Sequence, residues 1–289
     1  MEANDLVSPS LSSSSISIPM YAYSCFQPQA PKFSEHSPML RLWRPQAQRN
    51  LRNQWSKLSS LRHQWYPSST SGRTHATSLV NSYLSYRYMD AMDLGVLSDM
   101  PNIRKKACSK LLKQLEFERN QLLSSYKAMV TAVVGMENSS KSMRCFLKAT
   151  GGSPFIQFSK SSENGDDTGD GGGAPVFTYF SISAFESFAA ELVQMFKQEL
   201  LLKRLLVVEL LANICLETEQ EFNQFSWADE LYHGEAEDLS MCNLYSKDTD
   251  EPFLPKVYLT TWLAEVNIDS SRVEEIFVTV GGELRTTLS

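Results

Sequence analysis

The chain has 289 residues, 42% of them hydrophobic and 21% charged, with a formal net charge of −6. That length suits one ordinary domain or two small ones, and the composition predicts an ordered core carrying flexible segments. No run approaches the ~18–20 apolar residues that span a bilayer. No fixed period marks a solenoid, and Cys25, Cys108, Cys145, Cys215 and Cys242 lie too far apart for a disulfide framework, so free thiols in a reducing compartment are expected.

Charge is uneven along the chain. Residues 1–75 carry eight Lys/Arg against three Asp/Glu, residues 76–204 fifteen against thirteen, and residues 205–289 four against seventeen. An acidic C-terminal third repels nucleic-acid phosphate and suits basic protein partners.

Residues 1–46 are rich in Ser and Pro, with prolines at 9, 19, 28, 31, 38 and 45, and read as a disordered tail. The same stretch allows an organelle transit peptide, although Glu2 and Asp5 stand at its start and Arg first occurs at Arg41. From Gln46 the pattern turns helical: Leu51, Trp55, Leu58, Leu61 and Trp65 step by three or four residues and line one face. Pro67 is expected to stop this helix, with a polar turn over 68–72 and a second helix burying Ala76, Leu79, Val80, Tyr83 and Leu84. Arg49, Arg52, Lys57 and Arg62 interleave with the tryptophans as a base-stacking surface would require. Tryptophan at helical spacing is more often core, with the basic residues as its solvated face.

A long third helix is expected from Ile103 to Leu147, where Ala107, Leu111, Leu115, Leu122, Tyr126, Met129, Val133 and Met136 form a seam. Unbroken, it would be about 65 Å long and must pack lengthwise on another helix. A Gly/Asp-rich linker over 149–176 follows. Asp166, Thr168, Asp170 and Gly171 match part of a calcium loop, but Phe177 stands where a bidentate Glu is required. Ser181 or Ser183 caps the next helix, Glu186 completes a capping box with Ser183, and Phe185, Phe188, Ala189, Leu192, Phe196, Leu200 and Val207 form its stripe. Around 200–208 this helix is apolar nearly all round, which predicts a central position. Residues 217–256 read as a flexible acidic insertion. A short helix begins after Pro255, and Asp269, Ser270 or Ser271 caps a last one that ends near Gly281-Gly282.

Nothing in this pattern assembles a catalytic constellation. His36, His63, His75 and His233 stand at no metal-ligand spacing, and no GxSxG, HExxH or GxGxxG motif occurs. Ser8-Pro9, Ser37-Pro38 and Ser153-Pro154 are short sites for proline-directed phosphorylation. No enzyme activity, cofactor or metal is expected.

The run Met195-Phe196-Lys197-Gln198-Glu199-Leu200-Leu201-Leu202-Lys203-Arg204 resembles the signature helix of the cyclin-dependent kinase 2-interacting protein family. Tyr258-Leu259-Thr260-Thr261-Trp262-Leu263 is similar to that family's Tyr-Leu-x-x-Trp-Leu block, and the Trp55–Tyr83 region to its opening helical pair. The resemblance covers roughly 49–87, 105–147, 176–211 and 257–285. It implies a non-catalytic nuclear adaptor that binds subunits of an AAA-type ATPase complex acting in replisome turnover and ribosome maturation. It further implies binding to cyclin-dependent or replication-initiating kinases, without direct nucleic-acid or membrane contact. The tail, the Gly/Asp linker and the acidic insertion depart from the family pattern and bear most on kinase binding.

The expected structure is therefore all-α: an elongated helical bundle or coiled coil with a disordered N-terminal tail (1–46) and a flexible acidic insertion (217–256). The ordered parts are expected at 47–148, 177–216 and 257–289. Lys197, Lys203, Arg204, Tyr258 and Trp262 are the expected partner-contact residues, with Tyr258 and Trp262 equally readable as core. The alternative function is a coiled-coil tether, plastid-targeted if residues 1–46 are cleaved.

Overall fold

The computed structural model describes residues 38–150, 153–161, 167–218 and 255–288. The tail as far as residue 37, the bulk of the acidic insertion (219–254) and Asp166 of the apparent calcium loop lie outside the described residues. The described chain is mostly helical: α1 (Pro38–Tyr88), α2 (Ile103–Lys141), α3 (Ile182–Thr218), α4 (Pro255–Ala264) and α5 (Ser270–Leu284), with a two-stranded hairpin between α2 and α3.

α1 is one helix of 51 residues, running through Pro45 and Pro67 where the sequence predicted a break and a turn. Proline removes one backbone hydrogen bond and crowds the preceding turn. Packing on both sides of it outweighs that cost: Trp65, Ser69 and Ala76 are all buried, so ending the helix at Pro67 would expose them. Hydroxyls assist locally, with Ser68 Oγ donating to Gln64 O (2.8 Å) and Thr74 Oγ1 to Thr70 O (3.0 Å). The helix also begins at Pro38, inside the segment expected to be disordered, and Trp43 and Ala47 are buried.

α2 packs along α1 in the opposite direction. Asn50 reaches Ser142, Gly135 meets Leu61, Ser125 meets Ser71 and Glu118 meets His75, so positions rise on one helix as they fall on the other. The α2 seam is buried at Leu115, Leu122, Tyr126, Met129, Val133 and Met136, as its spacing predicted. The helix ends at Lys141, six residues short of the expected Leu147, because residues 145–150 leave it to form β1 (Cys145–Thr150), which pairs antiparallel with β2 (Ser153–Phe158). Cys145 faces Phe158 and Thr150 faces Ser153, with Gly151-Gly152 between the strands.

The expected linker at 149–176 is thus partly regular structure. Its later part, 167–176, is held in place as well. Asp167 Oδ2 accepts from Leu147 N (2.6 Å) and Cys145 N donates to Gly169 O (3.0 Å), covering one edge of β1. Gly171 has φ +67° and lies under the Trp43 ring, where an added Cβ would come within 2.1 Å of the indole, so glycine alone fits. The Asp170 carboxylate accepts from Thr168 Oγ1 and Gly172 N, which makes it the closure of a turn.

α3 begins at Ile182, and Ser181 Oγ accepts from Ala184 N (3.4 Å) as a cap. The expected capping box does not form: Glu186 instead accepts two hydrogen bonds from Arg144, at 2.8 and 3.0 Å. α5 is capped by Asp269, which accepts from the backbone N–H of Ser271 and Arg272, and it runs past Gly281-Gly282 to Leu284. All five helices contribute to one hydrophobic core, in which Trp55 meets Phe277 edge-on (5.9 Å) and Trp65 meets Phe196 edge-on (5.3 Å). Both tryptophans are buried, so neither can stack on a base.

Candidate partner-binding residues

The signature helix and the Tyr-Leu-x-x-Trp-Leu block meet in space. Lys203 projects from α3 into the interior, with no solvent exposure, and its ammonium donates to the backbone oxygen of Trp262 on α4 (3.0 Å). The same nitrogen lies 3.0 Å from Glu199 Oε1, one helical turn back, and 4.8 Å from the centre of the Trp262 ring. The second Glu199 oxygen accepts from both the backbone and side-chain nitrogens of Asn267, at 3.1 Å each, tying down the turn after α4.

Trp262 completes the junction on the other side. Its indole N–H donates to Ser69 O (3.0 Å) on α1, and Ser69 Oγ donates to Glu265 (2.8 Å). The six-membered part of the indole rests on Gly72, where an added Cβ would approach it to 2.7 Å. α1, α3 and α4 are therefore locked together by one buried polar cluster, in which the cation, the carboxylate and the indole each have a hydrogen-bonding or charge partner.

This placement corrects the expected surface. Lys203, Arg204 and Trp262 are all interior and offer no side chain to a partner docking on the folded chain. A Lys-Arg pair on a helix ordinarily marks its wet face. Here the helix is enclosed by α1, α2, α4 and α5, and the buried Glu199 balances the charge of Lys203. Lys197 is half-buried and lies 3.8 Å from Glu137 on α2. Tyr258 is partly buried and packs against the core. What α4 and its following turn do present outward are Val257, Leu263 and Val266, each more than half exposed. A shallow cavity of about 140 Å³ opens beside them, lined by Tyr66, Ser69, Thr70, Arg73, Leu263 and Glu265 with the Trp262 edge at its base.

The remaining ionisable groups serve similar structural ends. Glu283 on α5 accepts from three consecutive backbone N–H groups, Thr178 (2.7 Å), Tyr179 (2.5 Å) and Phe180 (3.0 Å), just ahead of α3. Burial opposes its ionisation, but the three donors outweigh that and hold the carboxyl below its usual range. Arg272 binds Glu191 through two nitrogens, at 2.6 and 2.8 Å, joining α5 to α3 and holding the Glu191 carboxyl low. Burial pushes the Cys145 thiol up to about 12 despite a weak contact from Asn50, which keeps it protonated and poorly nucleophilic. Among the described residues, no group of three or more His, Cys, Asp or Glu is placed to hold a metal ion. No protein-family model matches the chain, and no curated protein matches it.

Proposed function

We propose that the chain is a non-catalytic nuclear adaptor, built as a lengthwise helical bundle, that presents helical surface to subunits of an AAA-type ATPase complex and to cell-cycle or replication kinases. The observation that supports this reading is the Lys203–Trp262 junction. The two sequence blocks that carry the family resemblance are 59 residues apart and form a single buried unit. A pair of motifs matched by chance would have no reason to complete one another's hydrogen bonds. In this reading the motifs act through the shape they impose, and the contacting surface is the neighbouring ridge of Val257, Leu263 and Val266.

The test is recovery of AAA-type ATPase subunits on the tagged full chain, compared with a Leu263→Asp/Val266→Asp variant of unchanged helical circular dichroism. Recovery by the parent and loss in the variant are expected. Equal recovery by both, or recovery by neither, would count against the reading. A fluorescent fusion separates it from the plastid-targeted tether: nuclear signal favours the adaptor, plastid signal the tether.

A further inference from the structure

The connection between α1 and α2 runs from residue 89 to residue 102, fourteen residues where about 2–8 commonly join packed helices. It is well fastened. Arg104 on α2 donates to the carbonyls of Met89, Asp90 and Met92, the latter two at 2.7 Å, which closes the C-terminal end of α1. Asp93 Oδ1 accepts from Gly95 N (3.0 Å), and a single 3-10 turn, Gly95–Leu97, is closed by Ser98 Oγ on Gly95 O (2.7 Å). Despite this order, Tyr88, Met92, Val96, Leu97 and Met100 are all exposed, Val96 to 92%. Such a concentration of large apolar side chains in water marks an interaction surface.

Its charge is one-sided. Residues 88–103 include Asp90, Asp93 and Asp99 and no Lys or Arg. Methionines with several rotatable bonds, set among acidic residues, adapt their shape to an apolar helix face while attracting its basic flanks. We propose that this tip is a docking site for a basic amphipathic helix of a partner protein. The acidic 217–256 segment of the same chain carries the wrong sign to be the occupant. The inference stands on this surface alone and owes nothing to the family resemblance, so failure of one leaves the other intact.

The probe is a fluorescein-labelled 18-residue peptide of Leu and Lys patterned as an amphipathic helix, titrated with the full chain. A Leu/Glu peptide of the same pattern is the control. Binding of the Leu/Lys peptide is expected to weaken at least tenfold in Val96→Ser/Leu97→Ser/Met100→Ser, and several-fold in Asp90→Asn/Asp99→Asn or on raising salt. The Leu/Glu peptide should not bind. Unchanged affinity in the triple variant, or equal binding of both peptides, would overturn the proposal. So would self-association, or uptake by phosphatidylcholine vesicles, that the triple variant abolishes while no peptide binds.

Discussion

Lys203 carries a full charge into a place without water, and the consequence is measurable. Removing one member of a buried pair strands the other, whereas removing both leaves an apolar site. Lys203→Met is expected to destabilise the chain by about 3–5 kcal/mol, and Lys203→Met/Glu199→Leu by clearly less than the two single changes together. Urea unfolding of the four proteins checks this. Glu283 makes a prediction in pH. Its folded carboxyl lies below the unfolded value, so its contribution is complete above the unfolded pKa and is lost as pH falls through the folded one. Glu283→Gln should therefore cost about 1–3 kcal/mol near neutrality, with the difference from the parent shrinking below about pH 4. A constant difference across that window would place its role elsewhere. Neither residue's task was legible in the sequence. Burial of a lysine depends on five elements converging from distant parts of the chain, and a nest of three N–H groups belongs to the backbone.

At the scale of elements, apolar periodicity carried most of the information. It placed the buried stripes of α1 and α2 and the Asp269 cap, because those features are local. It failed where tertiary contact overrode local preference. Pro67 reads as a terminator, but the buried surface flanking it keeps α1 intact. Replacing Pro67 with Ala should therefore stabilise the chain by about 1 kcal/mol or more, seen as a raised urea midpoint. The β hairpin was missed because Gly151-Gly152 was read as the opening of a linker. Gly-Gly between alternating Phe146, Lys148 and Phe155, Gln157 is also a hairpin signal, and that alternation was available. Glycines test the packing directly. Gly72→Ala pushes a Cβ into the Trp262 ring and should cost about 1–3 kcal/mol, while Gly282→Ala meets open space within a helix and should stabilise by about 0.5–1 kcal/mol. Thermal melts of the two variants should move in opposite directions.

For the molecule as a whole, the described residues belong to one unit, His36–Ser289, in which α4 and α5 return from a distant part of the sequence to pack on α1 and α3. The Lys203 cluster, the Arg272–Glu191 pair and the Glu283 nest all bind this returning segment to the earlier helices. If those ties make the two motif blocks one structural unit, α4 cannot open without loss of the core. Native-state hydrogen exchange measures this directly. Amides of α4 and α5 around Trp262 and Phe277 should exchange only through the same global unfolding that releases the amides of α1 near Trp65 and of α3 near Leu200. Exchange of α4 orders of magnitude faster than α1 and α3, with no response to denaturant, would show the two blocks to be separate pieces and contradict the account.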